Sequence, residues 1–361
     1  MKNRYLIILL SVLLMACCKD PVNQILTFEY QIFNTSNSGL PSSFVTHVVS
    51  DSSNNIWIGT FSSGLIKYDG ANWVCYNTGN SHLPNDSINS LYVDRKNRLL
   101  VGTNRGLAIL DHGKWITYNK ANSGLQAEIV LSVCVDNNDN IWLGAVTSST
   151  DFETHAGLYF FDGNKWTLYN RKNSILPYET IHSIVCDKNN IIWLGTAQNL
   201  GKGGLVRIKD GQWTLYSSDN SPMKYNVLDR IVIEKNGQLL LSSDVPFEWK
   251  SGVLDGYLYL FNKTDTWLDI SPAINNANLT NRVTATVFDK NGNLWIATSI
   301  DSNRPKIDYS LSIYSNSKWT VLSSTLPNFP RTYIPDITVD SSNNIWVAAP
   351  DAGGLIKIIE K

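Results

Sequence analysis

The chain has 361 residues, 43% apolar and 17% charged, with a formal net charge of −1. This balance, with no basic run, excludes a disordered chain and a nucleic-acid binder, which needs a concentrated cationic footprint. Twelve Trp, 16 Tyr and 11 Phe against 12 Pro indicate a large buried core rich in strand-forming residues.

Residues 1–16 read as a leader: Lys2 and Arg4 precede an apolar run from Tyr5 to Ala16. The run is shorter than the roughly 20 apolar residues that a membrane-crossing helix needs. Leu14-Met15-Ala16-Cys17 resembles the lipobox of bacterial lipoproteins. That resemblance implies acylation of Cys17, a lipidated tether over residues 17–24 and anchoring at the outer membrane, on its periplasmic or its outer side. Lys19-Asp20 resembles the export signal of surface lipoproteins in Bacteroides-type bacteria. Without the leader, 28 basic side chains face 31 acidic ones. Cys75, Cys134 and Cys186 lie inside apolar strand patterns and read as small buried hydrophobes, not as a disulfide or metal framework.

From residue 25 to the end, one pattern recurs seven times. An apolar run closes on an acid at Asp51, Asp94, Asp136, Asp187, Glu234, Asp289 and Asp340. Six positions later stand Trp57, Leu100, Trp142, Trp193, Leu240, Trp295 and Trp346, and eight positions later a small residue, Gly, Ser or Ala. The 42–55-residue spacing of the acids is that of a four-stranded propeller blade. In each unit the first strand ends at the acid, and an Asn- or Gly-rich hairpin follows. The second strand is apolar on both faces (Ile56-Trp57-Ile58-Gly59-Thr60), as a strand between neighbouring sheets must be. The third begins at a Gly-Leu-like pair, as at Gly64-Leu65, and the fourth carries Trp-x-x-Tyr or a variant, as at Trp73 and Tyr76. Both Trp sets read as core.

The seventh unit stops after its third strand, at Gly354 to Ile358. Tyr30 to Asn34, with the trailing Asn37-Ser38-Gly39-Leu40-Pro41, matches the fourth strand of the first unit and its Asn80-Ser81-His82-Leu83-Pro84. The expected fold is therefore an all-β, seven-bladed β-propeller over residues 25–361, its N-terminal strand completing the last blade and removing the sheet edge.

The units resemble two-component regulator propeller repeats, most clearly at Asn55 to Thr60, Asn140 to Gly144 and Asn293 to Thr298. Units two and five depart, with Leu100 and Leu240 for Trp. In that family such propellers often form the periplasmic sensor of a membrane histidine kinase that reads glycan fragments. The resemblance implies fold and ligand class rather than a signalling output.

No motif commits the chain to catalysis, a cofactor or a metal. The recurring acids read as turn residues. Asp136-Asn137-Asn138-Asp139-Asn140 lacks the Gly and distal Glu of a calcium loop. The only local cluster suggesting an acid–base reaction is His155 with Asp151 and Glu153.

Loops between second and third strands are long in units three, five and six, at 146–156, 244–255 and 299–309. Long loops gathered on one face of a rigid scaffold are where binding is usually placed. Eleven of the 12 Trp occupy repeat positions; Trp249, in the unit-five loop, does not. It is a candidate ligand contact, with Glu248 and Lys250 beside it and Asp301, Arg304 and Asp308 from the unit-six loop. At the start of the first strands, His47, His182, Asp229, Arg230 and Asp336 are expected to line the central mouth on the same face.

The resulting expectation is a lipid-anchored, non-enzymatic binding propeller of the cell envelope, recognising glycan or peptide material. The alternatives are an envelope lyase or hydrolase acting on a polysaccharide or cyclic peptide, and a module that docks an envelope protein. Cys17→Ala is expected to abolish lipidation and release the chain from membranes. Membrane fractionation with mass spectrometry of the N-terminus checks this, and an unmodified wild-type Cys17 would contradict it.

Overall fold

Each repeat folds into a four-stranded antiparallel sheet, and seven such sheets succeed one another along the chain. The computed structural model describes residues 26–147, 152–197, 202–243, 257–262, 265–271, 282–300 and 308–361. Cys17 lies outside them. Blade one shows the plan, with strands a to d at Val45–Ser50, Ile56–Thr60, Leu65–Tyr68 and Trp73–Tyr76. Strands a of all seven blades contribute to the wall of one central channel. Every residue of strand b is buried in blades one, two, four and seven, as its two apolar faces require.

The small residue eight positions after each acid is where the next blade comes closest. A Cβ on Gly195 would lie 2.7 Å from the Leu228 carbonyl oxygen of blade five, and one on Gly144 would lie 2.6 Å from that of Ile181.

The N-terminal strand completes blade seven. Phe28–Phe33 pairs antiparallel with Gly354–Glu360 in an unbroken register from Phe28↔Glu360 to Phe33↔Leu355. The strand begins two residues before the expected Tyr30. Phe33 stacks on Trp346 at 5.7 Å, so closure also joins the two ends of the chain through their side chains.

The acid and the tryptophan six positions later are bonded to each other. In blade one, Asp51 Oδ1 accepts the backbone N–H groups of Ser53 and Asn55, both at 2.9 Å. Its Oδ2 accepts Asn55 Nδ2 at 2.7 Å and Trp57 Nε1 at 2.9 Å. Asp136, Asp289 and Asp340 repeat this clamp on Trp142, Trp295 and Trp346. A single carboxylate thus satisfies turn, amide side chain and indole, and without it the buried indole N–H would have no partner. The residue three positions after the acid takes the left-handed conformation the hairpin needs, as at Asn54 (φ 65°) and Gly237 (φ 84°).

These turn residues also link blades. Asn97 Oδ1 accepts the N–H of Ser52 at 2.8 Å, Asn190 that of Asn137 at 2.6 Å, and Asn343 that of Lys290 at 2.7 Å. Asn54 accepts that of Ser341 at 2.7 Å, across the closure. Blade three has Asp139 at this place, paired with Arg98 at 2.5 Å and Lys96 at 2.9 Å, so the calcium-like run is committed to a blade contact. In blade two, where Leu100 replaces Trp, Arg98 Nε takes the vacant place on Asp94 at 2.6 Å. Blades five and six carry Gly237 and Gly292 and have no side chain to offer there.

Two expectations change. Strand-b tryptophans are buried, but those of strand d (Trp73, Trp115, Trp166, Trp213, Trp267 and Trp319) are only half-buried, because strand d is the outermost strand of its blade. Leu322, three residues after Trp319 and so at the place Tyr76 takes after Trp73, lies outside strand d and begins a short helix turn, Leu322–Thr325, in which it alone is buried. Cys75, Cys134 and Cys186 are free, with Cys134 fully enclosed.

Blade four supplies an internal control. Ile191 stands where Asn55 stands in blade one, and the buried Nε1 of Trp193 has no partner among the described residues. Both indoles bury similar area, so Trp57→Phe is expected to cost about 1.5–3 kcal/mol more than Trp193→Phe. Urea unfolding of the two variants measures the difference.

Candidate functional site

In six of the seven blades strand a slips register at its second or third residue, skipping Thr46, Asn89, Leu131, His182, Asp229 and Thr284 in turn. A bulge re-aims side chains and lets two successive residues face the same side. That is why both Asp229 and Arg230 reach the channel, where strict alternation would send one of them away.

The mouth is a cavity of about 590 Å³, and it brings together all five strand-a candidates: His47, His182, Asp229, Arg230 and Asp336. Arg230 Nη1 lies 3.1 Å from Asp336 Oδ1, and its other terminal nitrogen donates to the Pro335 carbonyl. Asp336 Oδ2 accepts the Val48 N–H at 3.0 Å. The pair ties blade five to the entry of blade seven and on to blade one, passing over blade six, whose strand a offers the small Thr284 and Ala285. Arg230 and Asp336 are therefore partly committed to holding the ring.

His47 Nδ1 is buried and has no partner among the described residues. Burial pushes the His47 imidazole below the ordinary histidine range; Asp336 opposes this and Arg230 adds to it. Nδ1 of the neutral ring is enclosed, a poor position for a base that must reach a substrate proton. His182, by contrast, is exposed.

Two contributors escaped sequence reasoning. Phe61, just after strand b of blade one, is 67% exposed, and Tyr333, ahead of strand a of blade seven, is 36% exposed; both line the mouth. Phe44, 63% exposed, is held beside them by the bond from Phe61 N–H to its carbonyl at 3.0 Å. The available signal was the one applied to Trp249, a large aromatic outside every repeat position.

Trp249, Glu248, Lys250, Asp301 and Arg304 lie outside the described residues, as does the side chain of Asp308. His155 sits in the short helix Phe152–His155, half-buried, its carbonyl accepting Tyr159 Oη at 2.7 Å. Asp151 and the Glu153 side chain lie outside the described residues, so nothing described assembles that cluster. Among the described residues no three His, Cys, Asp or Glu side chains are grouped to hold a metal, and no helix is long and apolar enough to cross a membrane.

The two component regulator propeller family matches at residues 39–62, 82–105, 175–198 and 279–299, each match centred on strands a and b. No curated protein matches by sequence. Among solved structures, the extracellular domain of BT3049 from B. thetaiotaomicron, assigned to a hybrid two component system, superposes with TM-score 0.67 and 19% identity over 92% of this chain and 42% of its own. The extracellular domain of BT4673 from the same organism, assigned to a one component system, gives 0.64 and 20% over 91% and 39%. Virginiamycin B lyase from Staphylococcus aureus gives 0.64 and 15% over 92% and 99%. The chain thus spans about two fifths of the B. thetaiotaomicron domains and nearly all of the lyase. At these identities the likeness speaks for the fold alone.

His47 sets a pH dependence. A histidine held neutral in the folded state contributes stability that is full above its unfolded value of about 6.5 and is lost as pH falls through the lower folded value. Melting temperature is expected to fall below pH 6.5, and His47→Asn is expected to flatten that fall. An unchanged profile in the variant would contradict the assignment.

Proposed function

From a chain built of two component regulator propeller repeats, we propose a lipid-anchored, non-enzymatic binding propeller of the bacterial cell envelope, taking glycan or peptide ligands at its central mouth. One observation carries the reading: exposed Phe61 and Tyr333 stand at a 590 Å³ cavity beside Asp229, Arg230 and His182. The volume is that of small-molecule sites, and aromatic faces with a few polar groups suit a ring that is apolar on one side and hydroxylated at its edge. Trp249, Glu248, Lys250, Asp301, Arg304 and Asp308 extend the proposed contact surface, because the strands that carry their loops end on the mouth side. The envelope address rests on the lipobox at Cys17. It accords with the extracellular setting named for the B. thetaiotaomicron domains.

The lyase alternative needs a base at the mouth. The exposed His182 is the side chain that would supply it, while the free nitrogen of His47 is enclosed.

A panel of glycans and peptides, read for binding and product together, tests the reading. Binding without turnover is expected. Phe61→Ala and Tyr333→Ala are each expected to weaken it several-fold, about tenfold for every 1.4 kcal/mol lost, with unfolding unchanged. Turnover abolished by His182→Ala would replace the reading with the lyase. Binding indifferent to both aromatic substitutions would remove it from the mouth.

A further inference from the structure

The seam between blades five and six is built differently from the others. Elsewhere the indole six positions after the acid packs onto the following blade: Trp57 lies with Leu99 and Val101 of blade two, Trp295 with Ile345 and Val347 of blade seven. In blade five Leu240 occupies that place, against Leu294 and Ile296 of blade six. Blade two, which also has Leu, fills the deficit with Arg98 on Asp94. Blade five has Gln238 at that position, and here the seam holds a partly open cavity of about 170 Å³. Leu260 and Ile270 of blade five and Phe288, Tyr314 and Trp319 of blade six line it, with Glu234.

The polar groups of this seam are also released from their usual duties. Asn236 Oδ1, not the repeat acid, caps the blade-five turn by accepting the Gln238 N–H at 2.7 Å. The Glu234 carboxylate keeps one partner among the described residues, Asn236 Nδ2 at 2.6 Å, where Asp51 has four. Trp319 Nε1 is buried without a partner among the described residues. Burial pushes the Glu234 carboxyl above the ordinary glutamate range, and a donor that reached it would relieve that penalty.

We propose that this cavity binds a small aromatic molecule carrying an N–H or O–H donor, of the indole or phenol class. The ring fills the seam that lacks a tryptophan, and the donor meets Glu234 as Trp57 Nε1 meets Asp51. The volume fits: an apolar cavity of about 150 Å³ holds one benzene. The residual acceptor capacity on Glu234 selects donor-bearing rings over plain hydrocarbons. The site lies on the hairpin side of the disc, with the turns Asn291–Asn293 and Ser315–Ser317 at its edge, and is independent of the mouth.

Titration of the full-length chain with indole and with benzene, followed by calorimetry and thermal unfolding, tests the proposal. Saturable indole binding with a raised melting temperature is expected. Glu234→Leu is expected to weaken indole at least tenfold and leave benzene unchanged. Leu240→Trp, where it folds, is expected to raise the melting temperature and weaken both ligands at least tenfold. Phe61→Ala is expected to change neither, which separates this site from the mouth. No saturable indole binding by the wild type, indole affinity within twofold of wild type in Glu234→Leu, or full binding by folded Leu240→Trp would each overturn it.

Discussion

One carboxylate, repeated in full in blades one, three, six and seven, holds most of what the rest of the structure uses. At the end of strand a it accepts two backbone N–H groups of the hairpin, an amide side chain and an indole, as Asp51 does for Ser53, Asn55 and Trp57. The turn fixes the register of strand b, and the indole fixes how strand b meets the next blade. Because the acceptor is charged and buried, each bond is worth more than a surface one, and each loss leaves a donor stranded. A replacement at one position can be met by one at another, as Arg98 on Asp94 shows in blade two.

The ring inherits its weak point from this rule. Blade five has Glu for Asp, Leu for Trp and Gly237 at the turn position that bridges blades elsewhere. Its neighbour blade six has Gly292. The same stretch of the circle is spanned on the opposite face by the Arg230–Asp336 pair, which joins blade five to blade seven across the channel. Such a pair is only partly shielded from water and contributes modestly, but it sits where the side-chain girdle is interrupted. Closure by Phe28–Phe33 leaves blade seven without a missing strand and the ring without an open end.

Two faces follow from one topology. The turns between strands a and b and between c and d are short and committed to scaffold contacts. The entries to strand a and the longer loops gather on the other face, where bulges turn successive residues into the channel. A rigid wall with an adaptable rim is the arrangement in which ligand sites are commonly built. The mouth carries both charge signs and exposed rings, whereas the seam of blades five and six is apolar with one carboxylate.

The seven-fold period, the closing strand and the placement of His47, His182, Asp229, Arg230 and Asp336 at one mouth were legible in the sequence. Strand periodicity and the acid-to-Trp spacing are local, and a closed ring admits few ways to use them. The bond between Asp51 and Trp57 was not legible, because two residues six apart on either side of a hairpin meet only once register is set. Nor was the half-burial of the strand-d tryptophans, since the repeat marks a position without saying how far from the axis it lies. The seam at Leu240 shows the division most clearly. The missing Trp was visible as a departure from the pattern, yet blade two has the same departure with its acid already taken by Arg98. Only packing decided between them: Arg98 reaches the acid and fills the gap in one blade, while in the other Gln238 leaves Glu234 facing open volume.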